Sequence, residues 1–252
     1  MIARRSSISL AFPGCISYFV RSPEMAVSWF MSARPISRCR LGSGNIFKKL
    51  SGRKGISLDE MSFRCLFVEE DLSAVSPEKM LIKRHLQGGK IVWNNRGFGN
   101  NDPGRERDTT RNKENHWDLE FPIDISRDIG NLRPGRWALR DLLEEVKARL
   151  PFNFFRFQRN AVDVNGLTIV VPDAELSVDD VFRLISRVLP REWQIAALVG
   201  WVIMYKDRDQ EYPGAFRYYR SGGTSYDQKP QTRLPRKGEL AEDLEVDESS
   251  VV

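Results

Sequence analysis

Histidine and cysteine are scarce in this chain of 252 residues, which limits the metal and redox chemistry that it could support. The two histidines are His85 and His116, and the three cysteines are Cys15, Cys39 and Cys65. No two cysteines have the C-x-x-C spacing of a zinc site, and three scattered cysteines do not form a disulfide framework. We therefore expect no metal site, no structural disulfide and a reducing compartment.

Several motifs of enzymes and membrane proteins are also missing. No run of eighteen apolar residues occurs, so no transmembrane helix is predicted. There is no G-x-S-x-G nucleophile elbow and no G-x-G-x-x-G dinucleotide loop. Gly89-Lys90 resembles the end of a phosphate-binding loop, but Arg84 replaces its first glycine and Ile91 replaces its Ser or Thr. We therefore expect no cofactor and no enzymatic activity.

Positive charge is concentrated near the start of the chain. The formal net charge is +5 and the pI is about 9.2. Lys+Arg and Asp+Glu number 20 and 11 in residues 1–115, 15 and 16 in residues 116–222, and 4 and 7 in residues 223–252. Residues 1–56 alone hold ten basic residues and a single acid, Glu24. Such an excess of positive charge favours anionic partners, such as RNA or another polyanion.

Residues 1–56 have the Arg-rich, Ser-rich and acid-poor composition of an organelle transit peptide. This interpretation predicts a cleaved leader and a mature protein in the mitochondrial matrix. A first alternative is a retained basic arm that contacts nucleic acid or an anionic membrane, in a cytoplasmic or nuclear protein. A second alternative is a disordered leader without a role, or a start site placed too early, with Met61 as another possible start.

A compact core is predicted in residues 116–222, where the spacing of apolar residues separates strands from helices. Ser177, followed by Asp180, is a variant of the capping box that begins a helix. The predicted elements are a strand at 116–126, a helix at 137–150, strands at 152–159 and 167–171, a helix after Ser177, and a buried central strand at 193–205. This β-α-β-β-α-β order suits an α+β two-layer sandwich and is also the order of ferredoxin-like topologies.

The segments around this core are interpreted from their composition. Met61–Phe67 alternates as a strand does, whereas Asn94–Asn115 is polar and is expected to be an exposed flexible loop. The end of the chain is polar and finally acidic, and we expect it to be disordered. The predicted regions are a basic leader or arm at 1–56, a small αβ extension with a polar loop at 57–115, the core at 116–222 and the tail at 223–252.

Two clusters interleave aromatic and basic residues, as proteins that hold single-stranded nucleic acid do. Rings stack on bases in such proteins, and guanidinium groups contact phosphates. The residues expected to bind nucleic acid are Phe155, Arg156, Phe157 and Arg159 in the first cluster, and Phe216, Arg217, Tyr218, Tyr219 and Arg220 in the second. The alternative interpretation is a packed core strand and an amphipathic closing strand, or a protein interface.

Three functional hypotheses follow. The first is a non-enzymatic binding protein that associates with RNA or a ribonucleoprotein through the basic arm and the two clusters. The alternative is a protein–protein assembly component, such as an organellar complex subunit or a viral matrix-like or accessory protein, without direct nucleic-acid contact. The third is an enzyme that uses Asp118, Glu120 and Asp124, which the predicted strand would place on one face.

Overall fold

A computed structural model divides the chain into two compact units. One unit comprises Met1–Phe47 with Ser57–Asn94, and the other comprises Lys48–Ile56 with Asn95–Val252. This division differs from the predicted boundary at residue 56, because Lys48–Ile56 belongs to the second unit. The residues that the structure describes are 15–21, 31–33, 49–67, 105–151, 154–159, 162–172 and 175–234.

The first unit contains a three-stranded antiparallel sheet with the order β2-β1-β3. Its strands are β1 (Cys15–Arg21), β2 (Met31–Ala33) and β3 (Met61–Phe67). The predicted strand at Met61–Phe67 is confirmed with the same bounds. It pairs along its whole length with β1, which lies within the predicted leader or arm. The other residues of 1–48, and residues 68–104 of the predicted extension, lie outside the described residues.

The second unit combines helices with several small sheets, which confirms the α+β class. Its elements are α1 (Arg105–Asp108), β4 (Asn112–Lys113), α2 (Trp117–Glu120), β5 (Gly135–Ala138), α3 (Leu139–Arg149), β6 (Phe155–Phe157), β7 (Thr168–Val171), α4 (Val178–Val188), β8 (Gln194–Leu198), β9 (Val202–Tyr205), β10 (Ala215–Arg220), β11 (Thr224–Asp227) and β12 (Thr232–Arg233). Among the described helices, none has both the length and the apolar character needed to span a bilayer.

The largest sheet has five strands in the order β11-β10-β8-β9-β6. Its neighbours are antiparallel except for β6 and β9, which run parallel. Strands β5 and β7 form a separate antiparallel pair, and β4 and β12 form a short parallel one. The ferredoxin-like order is not confirmed, because β5 and β7 pair with each other and not with the five-stranded sheet.

Both faces of the five-stranded sheet are buried at its inner strands β8 and β9, whereas the edge strand β11 is mostly exposed. On one face, Met204 and Tyr219 pack in a core with Val146 of α3 and Phe182 of α4. Tyr218 lies on the opposite face, since successive strand residues point to opposite sides. There it belongs to a second cluster with Ala196, Leu198, Trp201, Ile203, Tyr205, Tyr212 and Ala215. The sheet therefore forms an interior layer of the second unit.

The two predicted helices are present as α3 and α4. The hydroxyl of Ser177 accepts a hydrogen bond from the amide of Asp180 at 3.1 Å, and the Asp180 carboxylate accepts from the amide of Ser177 at 3.3 Å. The predicted capping box is therefore confirmed. Helix α3 begins later than predicted, at Leu139, because Gly135–Ala138 pairs with β7 instead.

The predicted strand at 116–126 is wrong. His116 caps α2, its Nδ1 accepting a hydrogen bond from the amide of Asp118 at 3.1 Å. The helical turn closes with a hydrogen bond from the amide of Phe121 to the carbonyl of Trp117 at 2.9 Å. The alternation did identify buried side chains, since Trp117, Phe121 and Ile123 are all buried. A short helical turn followed by an extended segment can bury the same alternate residues as a strand does. The capping residue, His116, distinguishes the helical turn from a strand.

The predicted single strand at 193–205 is two strands, although its burial is confirmed. Strands β8 and β9 form a hairpin whose turn contains Val199 and Gly200, and the amide of Leu198 donates to the carbonyl of Trp201 at 2.8 Å. The predicted start of the tail at 223 is also too early, because β11 and β12 continue to Arg233. Residues 235–252 lie outside the described residues.

Candidate nucleic-acid interface

The first predicted cluster lies on β6, at one edge of the five-stranded sheet. Phe155 is 1% exposed and packs edge-on against Phe182, with 5.0 Å between the ring centroids. Its ring therefore offers no free face to a base. Phe157 is half-buried, and the cationic groups of Lys147 and Arg159 lie 5.8 and 5.9 Å from its ring centroid. Phe157 and the exposed Arg159 are the accessible members of this cluster.

Arg156, from the same strand, is held in an internal ion pair with the carboxylate of Asp108. Asp108 is 1% exposed and also accepts hydrogen bonds from Trp201 Nε1 at 2.7 Å and from the Tyr205 hydroxyl at 3.2 Å. A buried carboxylate needs such partners to offset the loss of hydration. The prediction of an exposed flexible loop at Asn94–Asn115 is therefore wrong around α1.

The aromatic members of the second predicted cluster are turned inward from β10. Tyr218 and Tyr219 are both fully buried, and Phe216 packs against the core on the helix side of the sheet. The Tyr219 hydroxyl donates to Oδ1 of Asp179 at 2.6 Å. Burial, together with this hydrogen bond, raises the pKa of Tyr219 above its ordinary value. The rings of Tyr218 and Tyr219 hold the sheet together and leave no free face on which a base could stack, and Phe216 is partly buried.

The two arginines of this cluster have different partners. Arg217 donates from Nη1 to Asp227 at 2.7 Å and from Nη2 to Asp179 at 3.1 Å. Its charge is therefore balanced within the fold. Arg220 donates from Nη1 to the carbonyl of Arg208 and from Nη2 to the hydroxyl of Tyr226 at 2.8 Å. Neither acceptor is anionic, and no carboxylate of the described residues forms an ion pair with Arg220.

Arg220 lines an open cavity of about 450 Å³, which we call the Arg220 cleft. The residues that line it are Arg208, Asp209, Glu211, Arg220, Ser221, Thr224 and Tyr226. Tyr226 is 41% exposed and stacks on the buried Tyr218, with 5.1 Å between ring centroids and 17° between planes. The guanidinium of Arg220 lies 5.3 Å from the Tyr218 ring centroid and 5.7 Å from that of Tyr226. The cleft thus combines cations with an accessible ring.

A third arrangement was not predicted and lies around β5 and the start of α3. Arg133, Arg136 and Arg140 are exposed, and Trp137 between them is half-buried. The Trp137 indole Nε1 donates to the carbonyl of Arg133 at 2.8 Å, and the Arg133 guanidinium lies 5.0 Å from the centroid of the Trp137 ring. None of the three arginines forms an ion pair with a carboxylate in the part of the chain that the structure describes. We call these four residues the Trp137 patch.

The signal for the Trp137 patch was present in the sequence. Residues 133–140 read R-P-G-R-W-A-L-R, with the same interleaving of basic and aromatic residues as the two predicted clusters. Trp137 was instead interpreted as the first residue of a helix. In the structure it belongs to β5, opposite Ile169 of β7.

The proposed carboxylate face does not exist, which removes the geometric basis of the enzyme hypothesis. Asp118 is 1% exposed and is paired with Arg53 at 3.0 Å and with Arg107 at 2.8 Å. Glu120 is exposed, and Asp124 accepts hydrogen bonds within its own turn. Within the described ranges, no three side chains of His, Cys, Asp or Glu come together in a group that could hold a metal ion.

The buried ion pairs shift the protonation of this region. Burial alone would raise the pKa of Asp118, but Arg53 and Arg107 outweigh it and lower the pKa below its ordinary value. Burial lowers the pKa of His116, and the charge of Asp118 opposes this shift only in part. The pKa of Arg53 is lowered by burial as well. These groups hold the fold together through buried ion pairs.

No family model matches the chain, and no curated protein or solved structure is significantly similar to it. Two features of the chain itself point to a function. They are the Trp137 patch and the Arg220 cleft, where arginines without acidic partners among the described residues lie beside partly exposed rings.

Proposed function

We propose that this protein is a non-enzymatic binding protein that contacts RNA, alone or within a ribonucleoprotein. The observation that carries the proposal is the Trp137 patch, in which Arg133, Arg136 and Arg140 are exposed and lack carboxylate partners among the described residues. These three cations lie within eight residues of chain around β5, although Arg136 and Trp137, as successive strand residues, point to opposite sides of it. Arginine contacts to phosphates release counterions, which drives binding to RNA and to other polyanions.

Two arginines on the helices of this unit have acidic partners, unlike the three arginines of the Trp137 patch. Arg149 lies 2.6 Å from Glu145, and Arg183 lies 2.7 Å from Asp179, each pair one helical turn apart. Ion pairs of this kind balance the charge locally and contribute little to stability. The unpaired arginines of the patch keep their charge available for a partner.

The ring of Trp137 packs in part against the core, and its exposed part offers a surface on which a base can stack. The indole of Trp137 is anchored by its hydrogen bond to Arg133, whose guanidinium lies against the ring. Bases stack on such rings and on guanidinium planes with little dependence on sequence. Of the residues predicted from sequence, Phe157 and Arg220 remain in the proposed interface, because they keep accessible groups. Arg159 is exposed, but its charge is balanced by Glu144 at 3.2 Å.

The alternative, a protein–protein assembly component, is less well supported by the described surface. Large apolar patches mark many protein interfaces. The exposed large hydrophobic residues in the described part are Leu58, Val170, Tyr226 and Leu234, and they come from separate segments of the chain. Val170 lies directly opposite Arg136 in the β5–β7 pair, within the basic surface. We therefore place RNA first and keep protein partners as the second proposal.

The proposal can be tested by fluorescence anisotropy with the full chain and a labelled single-stranded RNA oligomer over a series of salt concentrations. We expect the logarithm of the association constant to fall linearly with the logarithm of the salt concentration. R136A/R140A should bind more weakly, and its slope should be smaller in magnitude by about 1.4, since each lost phosphate contact removes about 0.7 for single strands.

A charge-matched control separates the patch from the net charge. R149A/R183A also removes two positive charges, but from arginines that are already paired with Glu145 and Asp179. This variant should keep the wild-type slope. An equal loss in both double variants would mean that only net charge matters, and the absence of salt-dependent binding by the wild type would reject the proposal. Circular dichroism and thermal unfolding should show that both variants fold.

A further inference from the structure

We infer that the Arg220 cleft binds a single nucleotide, with its phosphate at the two arginines and its base against Tyr226. The cavity, of about 450 Å³, lies within the size range of small-molecule sites. The inference rests on the proposed function in one respect, because the nucleotide would normally belong to a bound RNA. It is built on residues other than those of the Trp137 patch and can be tested apart from it.

The cleft holds two cations with charge available for a phosphate. The guanidinium of Arg220 is oriented by the Arg208 carbonyl and the Tyr226 hydroxyl, both of which are neutral. Arg208 lines the same cavity, and its side chain forms no ion pair with a carboxylate of the described residues. A positioned guanidinium with remaining N–H groups is well suited to the planar recognition of phosphate oxygens. We therefore place the phosphate between Arg208 and Arg220.

Tyr226 provides a fixed surface for the base. Its ring stacks on Tyr218, which is fully buried and whose hydroxyl accepts a hydrogen bond from the amide of Tyr212 at 2.7 Å. Tyr218 and Tyr226 are cross-strand partners of β10 and β11, so the backbone ladder also holds the pair. Because Tyr226 is 41% exposed, part of its ring remains available for stacking.

The acidic residues of the cleft orient the ligand and set its specificity. Asp209 and Glu211 line the same cavity and repel a phosphate from their side. Their carboxylates can accept hydrogen bonds from an exocyclic amino group, as acidic side chains do from the N4 of cytosine. Uracil has a carbonyl oxygen at that position, which would face a carboxylate unfavourably. The cleft should therefore prefer cytidine monophosphate to uridine monophosphate.

Isothermal titration calorimetry with the full chain tests this inference, using cytidine monophosphate, uridine monophosphate, cytidine and inorganic phosphate as separate probes. We expect cytidine monophosphate to bind most tightly, because it alone provides phosphate, ring and amino group. R220Q should weaken its binding about tenfold or more, since a hydrogen bond to a charged group is lost. Y226L should weaken it about fivefold or more through lost stacking. Y226F keeps the ring but loses the hydroxyl that orients Arg220, so it should weaken binding less than Y226L does.

The controls distinguish the possible failures. R149A should leave nucleotide binding unchanged, and R136A/R140A should lose RNA affinity while keeping nucleotide affinity. If the wild type binds no RNA but R220Q and Y226L lose the nucleotide, the proposed function fails and the cleft stands. The inference is overturned if the wild type does not bind cytidine monophosphate, or if R220Q and Y226L bind it as the wild type does. Amide chemical shifts provide a test without mutation, and changes confined to sites outside residues 208–226 would also overturn it.

Discussion

Arg53 donates a hydrogen bond from Nη1 to Oδ1 of Asp118 at 3.0 Å, although the two residues lie 65 positions apart in the sequence. Its side chain is 7% exposed and that of Asp118 is 1% exposed. The same guanidinium donates to the carbonyls of Phe121, Val199 and Gly200 at 3.1 to 3.3 Å. Arg53 therefore joins the segment Lys48–Ile56 to the end of α2 and to the β8–β9 turn.

Replacing Arg53 with alanine should be strongly destabilising. The change leaves a buried carboxylate with one guanidinium fewer and four backbone carbonyls, including that of Lys49, without this donor. Removing one partner of a buried ion pair costs about 3 to 5 kcal/mol. We expect a loss of this size in the free energy of unfolding measured by urea denaturation. R149A, which removes a largely exposed partner of Glu145, should cost only about 0.5 kcal/mol. Similar losses in the two variants would contradict the conclusion that Arg53 stabilises the fold by joining Lys48–Ile56 to α2 and to the β8–β9 turn.

The position of Arg53 also constrains the transit-peptide hypothesis, which stays a prediction. Leu50 is fully buried, and the amide of Asp124 donates to the carbonyl of Gly52 at 2.8 Å. A cleavage after Arg53 would remove these contacts from the second unit. If a leader is removed, we therefore expect the mature chain to begin before Lys49. Intact mass measured on protein from its native source tests this, and a mature chain that begins after Arg53 would contradict it.

The stability of the fold should decrease in mildly acidic solution because of His116. Its neutral Nδ1 accepts the hydrogen bond that caps α2, and a proton there would abolish it. Burial lowers the pKa of His116 below the ordinary value of 6.5. As the pH falls through 6.5, the unfolded chain binds the proton first, so stability is lost between that pH and the lower folded-state pKa. Below the folded-state pKa, the effect levels off.

H116N provides the matched variant for this prediction. Asparagine keeps an N-cap acceptor but does not titrate. From about pH 7.5 to about pH 5.5, the unfolding free energy of the wild type should fall more than that of H116N. Asp118 contributes nothing to the difference, since its lowered pKa keeps it ionised throughout this range. Parallel pH profiles for the two proteins would show that His116 titrates in the folded state as it does in the unfolded chain.

The elements that could be predicted from the sequence are those with local signals. Helix α4 and its cap at Ser177 were predicted correctly, because the capping residues and the apolar stripe lie close together in the chain. The hairpin of β8 and β9 was predicted as one strand, because its composition is apolar throughout and the signal of Gly200 was not used. Burial was therefore easier to predict than the path of the backbone.

The site was harder to predict because interleaved residues do not reveal which side chains are buried. Tyr218 and Tyr219 point to opposite faces of a sheet that is covered on both sides, so neither ring is accessible. The acidic partner of Arg156 is Asp108, which lies 48 positions away in the sequence. The acidic partner of Arg53 is Asp118, which lies 65 positions away. Ion pairs between residues so far apart in the sequence leave no periodic signal. Which arginines lack an acidic partner is therefore apparent only in the folded chain.

Gly200 should be intolerant of even one added methyl group because of its position against Asp118. A Cβ atom at Gly200 would lie 2.9 Å from Oδ2 and 3.2 Å from Cγ of Asp118. The carboxylate has little freedom to move, since Arg53 and Arg107 hold its two oxygens. Overpacking of a fixed interior site costs about 1 to 3 kcal/mol. We expect G200A to reduce the free energy of unfolding by this amount in urea denaturation.

Gly214 provides the matched control, since it is also buried and precedes a strand of the same sheet. A Cβ atom there would have the Nδ2 of Asn112 as its nearest neighbour, at an ordinary contact distance of 3.6 Å. Alanine also restricts the unfolded chain, which favours folding by about 0.4 to 1 kcal/mol where the backbone accepts it. G214A should therefore be neutral or slightly stabilising. If G200A also leaves the free energy of unfolding unchanged, Asp118 can shift away from Arg53 and Arg107, and its ion pairs are less rigid than these distances imply.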